Sequence, residues 1–176
     1  MEASDSLRVL VTAASRHQGT AEVAERIAAA LCEHGVLAEA RPIDEVAEVG
    51  SYDAVVLGSA VYVGRWLRDA RVFAESNAAT LATMPVWLFS SGPMGGAPTD
   101  EPADALTLAA LTGAREHRVF GGRLEPGRLR RSERLIAAIA HVAAADERDW
   151  AAVERFAADI AGGLTAPAVA PVLVGS

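Results

Sequence analysis

Short strand-like runs alternate with helix-length amphipathic segments along most of this 176-residue chain. That alternation limits what it can fold into. Arg8 to Val11 reads as a first strand, followed by a helix over Thr20 to His34. Val23, Ile27 and Leu31 fall at helical spacing, with Glu22, Glu25, Arg26 and Glu33 opposite. Gly35 stands where a helix C-cap is expected. Val36 to Pro42 reads as a second strand, and Ile43 to Val49 as a short helix or turn. Asp53 to Gly58 is a continuous apolar strand, the kind that suits a parallel sheet covered on both faces. A helix is expected over Arg65 to Asn77, a strand over Met84 to Phe89 and a helix over Ala103 to Leu111. A fifth strand follows at Glu116 to Phe120, then helices over Leu129 to Ala145 and Asp149 to Leu164.

Five strands alternating with helices predict a doubly wound α/β sheet in one domain spanning 1–176. Its ordered core is expected at about 6–164, with a loose tail over 165–176 that carries two prolines. Ligands of such sheets sit beyond the carboxyl ends of the strands. Three loops leave those ends: Thr12 to Thr20, Ser59 to Arg65 and Ser90 to Gly96.

The net charge of −7 argues against nucleic acid as the main partner. With a single cysteine, Cys32, no intrachain disulfide can form, and a reducing compartment fits. The segment MEASDSLRVLV lacks the basic region and long apolar run of a signal peptide, and no apolar stretch is long enough to span a bilayer. The expected location is the cytoplasm.

The first loop joins a strand directly to a helix N-terminus. Unpaired backbone N–H groups and the helix dipole there make a site for an anion, usually a phosphate. Ser15 and Thr20 add hydroxyls and Arg16 adds charge, while both the G-x-G-x-x-G and the Walker patterns are absent. A plain turn is the competing reading. In the second loop Tyr62 and Trp66 flank Gly64. An aromatic ring there can stack on a planar ligand, or Trp66 can simply pack under the next helix. The third loop, SSGPMGG, offers bare N–H groups suited to the polar edge of a flat heterocycle, or serves as an ordinary turn.

Phosphate, ring and polar edge are the three parts of flavin mononucleotide (FMN). The segments TAASRHQGTAEVAERIA, YDAVVLGSAVYVGRWLRDARVF and MPVWLFSSGP resemble the flavodoxin-like family. Within it they are most similar to the branch that includes the menaquinone-dependent protoporphyrinogen oxidase. GGRLEPGRLRRSERLIAAI and RDWAAVERFAADIA match more weakly, and the resemblance covers most of residues 7–164. It implies a three-layer α/β/α flavodoxin fold with strand order 2-1-3-4-5 and bound FMN. By position, Ser15, Arg16, His17, Gln18, Gly19 and Thr20 would take the phosphate. Ala60, Val61, Tyr62, Val63 and Gly64 would line the redox-active edge. Ser90, Ser91, Gly92, Pro93, Met94 and Gly95 would hold the pyrimidine edge. The chain departs from the pattern twice: glycine is usual where Gln18 stands, and the loop aromatic usually occupies the place of Val63.

Arg123, Arg128, Arg130, Arg131 and Arg134 form the basic cluster. It reads either as a solvated helix start or as an approach for a propionate-bearing porphyrin, a quinone or an anionic membrane surface, which would place the protein peripherally on a membrane. Cys32 is expected to be a packed, inert thiol. His34, His117 and His141 are expected at the surface, leaving His17 as the histidine in a candidate site. The chain shows no Ser-His-Asp set and no metal-spaced cluster. The expected function is an FMN-dependent oxidoreductase, in which the flavin passes electrons from a small-molecule donor, a porphyrinogen by resemblance, to a quinone or another acceptor. The alternatives are a flavodoxin-type electron carrier working with a redox partner protein, and a flavin-free binding module. Carriers crowd acids around the flavin, whereas the third loop here has none before Asp100 and Glu101. A homodimer stays open.

Overall fold

The computed structural model describes residues 7–92, 102–121 and 148–165. Strands β1 (Arg8–Ala14), β2 (Leu37–Pro42), β3 (Ala54–Tyr62), β5 (Val86–Ser91) and β6 (Glu116–Phe120) form a parallel sheet in the order β2-β1-β3-β5-β6. A sixth, two-residue strand, β4 (Arg65–Trp66), pairs antiparallel with the end of β3. The helices are α1 (Gly19–Glu33), α2 (Arg68–Ser76), α3 (Ala78–Leu81), α4 (Ala105–Thr112) and α5 (Trp150–Thr165).

The sheet is apolar on both faces because helices cover both. Val9, Val11, Trp87 and Phe89 pack with Val23, Ile27 and Leu31 of α1 and with Val153, Phe156 and Ile160 of α5. Leu10, Val55, Leu57 and Leu88 pack on the other face with Ala70 and Ala74 of α2 and Leu108 of α4. Alternation along β1 therefore sends apolar side chains into two separate cores. This is the doubly wound α/β architecture expected from the alternating pattern, with the parallel strands in the expected order and one short hairpin strand added.

Most boundaries differ from the sequence expectation by a few residues. α1 stops one residue before the expected end, and Gly35 follows it at φ +80°. The helix expected over Arg65 to Asn77 is a correction: Arg65–Trp66 is strand, and the helical remainder breaks at Asn77. The Asn77 side-chain amide donates to the Phe73 carbonyl at 2.9 Å, and its backbone N–H donates to the same oxygen. Both bonds close the last turn of α2 on one oxygen, and Asn77 itself leaves helical geometry at φ −107° and ψ 10°. Cys32 is a second correction, since it is exposed, with its thiol 3.3 Å from the Ala38 carbonyl. It follows Leu31 on the helix and so turns away from the core stripe. The helix expected over Leu129 to Ala145, the Arg123–Arg134 cluster, His141 and the tail beyond Thr165 lie outside the described residues. No helix among the described residues is long and apolar enough to cross a membrane.

β3 and β5 meet closely at Gly58, which pairs with Phe89. A Cβ added at Gly58 would lie 2.1 Å from the Phe89 ring. Phe89 is fully buried and its ring is tilted against Phe120 at 6.1 Å between centroids, so it can withdraw only by repacking its neighbours. Gly58→Ala is expected to destabilise the fold by about 1–3 kcal/mol through overpacking. Trimming the ring with Phe89→Leu in the Gly58→Ala background should recover part of that loss. Urea denaturation checks this; an unshifted midpoint for Gly58→Ala would contradict it.

Candidate functional site

The register brings the three predicted loops to one edge. Ala14 pairs with Ser59, and Ala60 pairs with Ser91. The chain leaves β1, β3 and β5 there at neighbouring positions.

The first loop enters α1 through Gln18, which has φ 64° and ψ −19°. A non-glycine residue there strains the backbone by roughly 1–2 kcal/mol. The kink turns the Gly19 N–H back onto the His17 carbonyl at 2.8 Å, and Glu22 N–H makes the first helical bond to Gln18 O at 2.9 Å. Between them, the N–H groups of Thr20 and Ala21 have no hydrogen-bond partner among the described residues. The hydroxyls of Ser15 and Thr20 likewise have none there, although Thr20 is only 4% exposed. Four donors thus lie at one helix N-terminus, an arrangement that can bind an anion. Gly19 is buried against this turn, while Arg16 and Gln18 are exposed and His17 is half-buried. The Arg16 guanidinium reaches across to the second loop and lies 5.2 Å from the Tyr62 ring centroid.

The second loop is a two-residue hairpin. Val63 (φ 51°) and Gly64 (φ 69°) both have positive φ, the signature of a type I′ turn that follows the sheet's twist. Valine is a costly choice there, and Val63 is 85% exposed. Tyr62 is exposed as well, Ala60 half-buried, and Val61 belongs to the core, so Val61 can offer the edge only its backbone. The hairpin is anchored from behind. Ala103 N–H donates to the Gly64 carbonyl at 3.1 Å, and the Asp104 carboxylate accepts the Trp66 N–H at 3.2 Å. Arg71 Nε lies 3.6 Å from the same carboxylate. Trp66 itself is 2% exposed and packs in the core on the α2 face, not at the ligand edge.

The third loop is described only as far as Gly92, so Pro93, Met94 and Gly95 lie outside the described residues. Gly92 adopts φ 87° and donates its N–H to the Phe120 carbonyl at 3.1 Å. Ser91 is buried. The Ser90 side chain points below the loop. It accepts the Trp66 indole N–H at 2.7 Å and lies 2.8 Å from His117 Nε2. With the indole donating to its oxygen, the Ser90 hydroxyl can donate its own proton to His117. His117 is therefore corrected from a surface residue to a half-buried member of a Trp66–Ser90–His117 chain. Sequence reasoning missed the chain because its members lie 24 and 27 positions apart and only the register joins them. Its legible signal was Ser90 at the end of the apolar run VWLF; His117 lies between Glu116 and Arg118 and gave none.

A cleft of about 890 Å³ opens beside the first loop, between Ser15, Arg16 and Gln18, the Arg41–Asp44 end of β2, and α2. On β2, Glu39 is held below the usual carboxylate range, first by the Arg41 guanidinium and then by the Tyr52 hydroxyl. Burial, followed by the bond to Glu39, pushes the Tyr52 phenol up. Among the described residues no group of His, Cys, Asp and Glu could hold a metal.

A family model described as the flavodoxin domain matches residues 10–149. The chain belongs to that family. Solved flavodoxins share its fold. One from the domain Archaea aligns with TM-score 0.64 at 15% identity, covering 91% of this chain and all of its own. Flavodoxin 1 from Bacillus cereus aligns with TM-score 0.63 at 16% identity, covering 90% of this chain and 99% of its own. The rubredoxin oxygen:oxidoreductase of Desulfovibrio gigas aligns over 36% of its length with TM-score 0.60 at 13% identity, covering 89% of this chain. No curated protein sequence matches the chain.

The left-handed Gln18 gives a direct test of the loop's backbone. Gln18→Val should be less stable than Gln18→Gly by about 1–2 kcal/mol, because only glycine occupies this conformation freely. Equal denaturation midpoints for the two variants would contradict the conformation.

Proposed function

We propose that this flavodoxin-domain protein binds FMN and transfers electrons through it. The observation that carries the reading is the cradle at the start of α1. Two hydroxyls and two backbone N–H groups lie at that helix start without partners among the described residues, in a chain of this family. The donor set fits a phosphate monoester: four hydrogen bonds to its oxygens, with the helix dipole behind them.

In this reading Ser15, Thr20 and the Ala21 N–H fix the phosphate. Arg16 lies over Tyr62 and leaves that ring to a flavin only by swinging toward the phosphate, where its charge is also favourable. The β3–β4 hairpin lines the redox-active edge, with Tyr62 as the stacking group and the Val63–Gly64 turn presenting backbone. Ser91 and Gly92 begin the wall for the pyrimidine edge, which Pro93, Met94 and Gly95 would continue. The Trp66–Ser90–His117 chain braces that wall from below. FMN, when bound, supplies the electron-accepting and electron-donating chemistry; the protein binds, orients and shields it.

The narrower reading is an oxidoreductase that takes electrons from a porphyrinogen and gives them to a quinone. It rests on the resemblance of residues 52–73 to that branch of the family. A second reading, a carrier that exchanges electrons with partner proteins, is favoured by the end-to-end match of two flavodoxins to this chain.

Purified protein titrated with FMN is expected to quench the flavin's fluorescence at a one-to-one ratio. The paired change Ser15→Ala/Thr20→Ala should weaken binding about tenfold or more, as for the loss of two hydrogen bonds to a charged group. Protein that leaves FMN fluorescence unchanged would overturn the flavin reading. Turnover of protoporphyrinogen with menadione as acceptor would support the enzyme; FMN-loaded protein that fails to turn over would leave the carrier.

A further inference from the structure

The cradle at the start of α1 is not sealed. Ser15 and Ala21, two of its donor residues, also line the cleft of about 890 Å³ that runs between the end of β2 and α2. None of Tyr62, Val63, Gly64, Ser91 and Gly92 lines it. β1 stands between β2 and β3 in the sheet, so the cradle has the hairpin on its β3 side and the cleft on its β2 side. A flavin nucleotide running from the hairpin to the cradle therefore meets the cleft at its phosphate end.

The cleft has causes in the sequence. The crossover from β2 to β3 carries only 3-10 turns, at Ile43–Glu45 and Val49–Ser51, where parallel strands usually place an α-helix. Ala13, Ala24 and Ala40 line the cleft with nothing larger than methyl groups. Its volume falls within the roughly 300–1,000 Å³ of small-molecule sites. Leu67, Val72 and Phe73 give the α2 wall apolar surface, and Val72 is 43% exposed. Charge on the lining is mixed: Arg16, Arg41 and Arg68 against Glu25, Asp44 and Asp69. Arg41 is already bonded to Glu39 at 3.0 Å, and Arg16 lies over the Tyr62 ring. The lining thus selects by shape and mixed polarity, not by net charge. Those properties suit a nucleoside, whose flat base has apolar faces and whose sugar carries hydroxyls. They suit neither a polyanion nor a wholly apolar molecule.

We propose that the cleft holds the adenosine of flavin adenine dinucleotide (FAD), with the cradle on the phosphate next to the flavin. The inference rests on the flavin reading above and widens its cofactor. FMN ends at its phosphate, whereas FAD continues from that phosphate through a second one into adenosine. A cradle closed on its β2 side would exclude that extension; this one opens into a space of the right size.

FAD and FMN share the flavin, the ribityl chain and the first phosphate, so the ratio of their affinities isolates the cleft. In calorimetric titrations the wild-type protein is expected to bind FAD at least as tightly as FMN. Val72 is exposed and outside both cores, so Val72→Trp fills the cleft without disturbing the packing. That variant should bind FAD about tenfold more weakly, with FMN affinity changed by less than about twofold. Val72→Ala, which leaves the cleft open, should keep the wild-type ratio. Wild-type protein that binds FAD more than about tenfold less tightly than FMN overturns the inference and leaves the FMN reading standing. A ratio that Val72→Trp leaves unchanged or raises also overturns it, because the adenosine then lies outside the cleft. Protein that binds neither nucleotide overturns the flavin reading itself, and the inference with it.

Discussion

The burial of β1 on both faces is the constraint on which the rest of this structure depends. Leu10 and Val11 point into different cores, each closed by different helices. A strand in that position pairs on both sides, with β2 and β3, and can slip on neither without exposing apolar side chains. Its carboxyl end is therefore fixed relative to β3 and β5, and so is the start of α1. The anion cradle is carried on that packed strand end. Gly58 belongs to the same constraint, because the Phe89 ring fills the space its side chain would need.

Rigid support lets the loop edge hold unfavourable local geometry. Gln18 and Val63 both take left-handed backbone conformations that glycine would adopt more easily. One turns the chain into α1 and leaves the Thr20 and Ala21 N–H groups pointing outward. The other closes the hairpin that carries Tyr62 to the edge. Strain of this kind persists only where surrounding structure over-determines it. Here the fixed strand ends do so from below, and the Ala103 and Asp104 bonds do so behind the hairpin.

Much of the fold was legible in the sequence because its signals are local. The apolar stripe of α1 and the extent of β6 follow from side-chain periodicity within a few residues, and the alternation of elements fixes the architecture. The convergence of the three loops followed in turn, since parallel strands bring their carboxyl ends together. What could not be read was set by pairing at a distance. The β4 strand hides in YVGRW, where one glycine and a β-branched valine carry a weak hairpin signal. The sequence comparison marked Gln18 as a departure from glycine, but only the backbone showed that the departure keeps the glycine conformation. Ser90 read as a loop donor and proved to be a buried joint, because the residues that occupy it come from two other strands.

The central claim is that the α1 cradle and the two neighbouring loop edges form one nucleotide site. Amide chemical shifts of isotope-labelled protein titrated with FMN test it most directly. The account predicts that the largest changes fall on Ser15, Thr20 and Ala21, on Tyr62 to Gly64, and on Ser91 and Gly92. Changes confined to the cleft between β2 and α2, with the Thr20 and Ala21 amides unmoved, would contradict it.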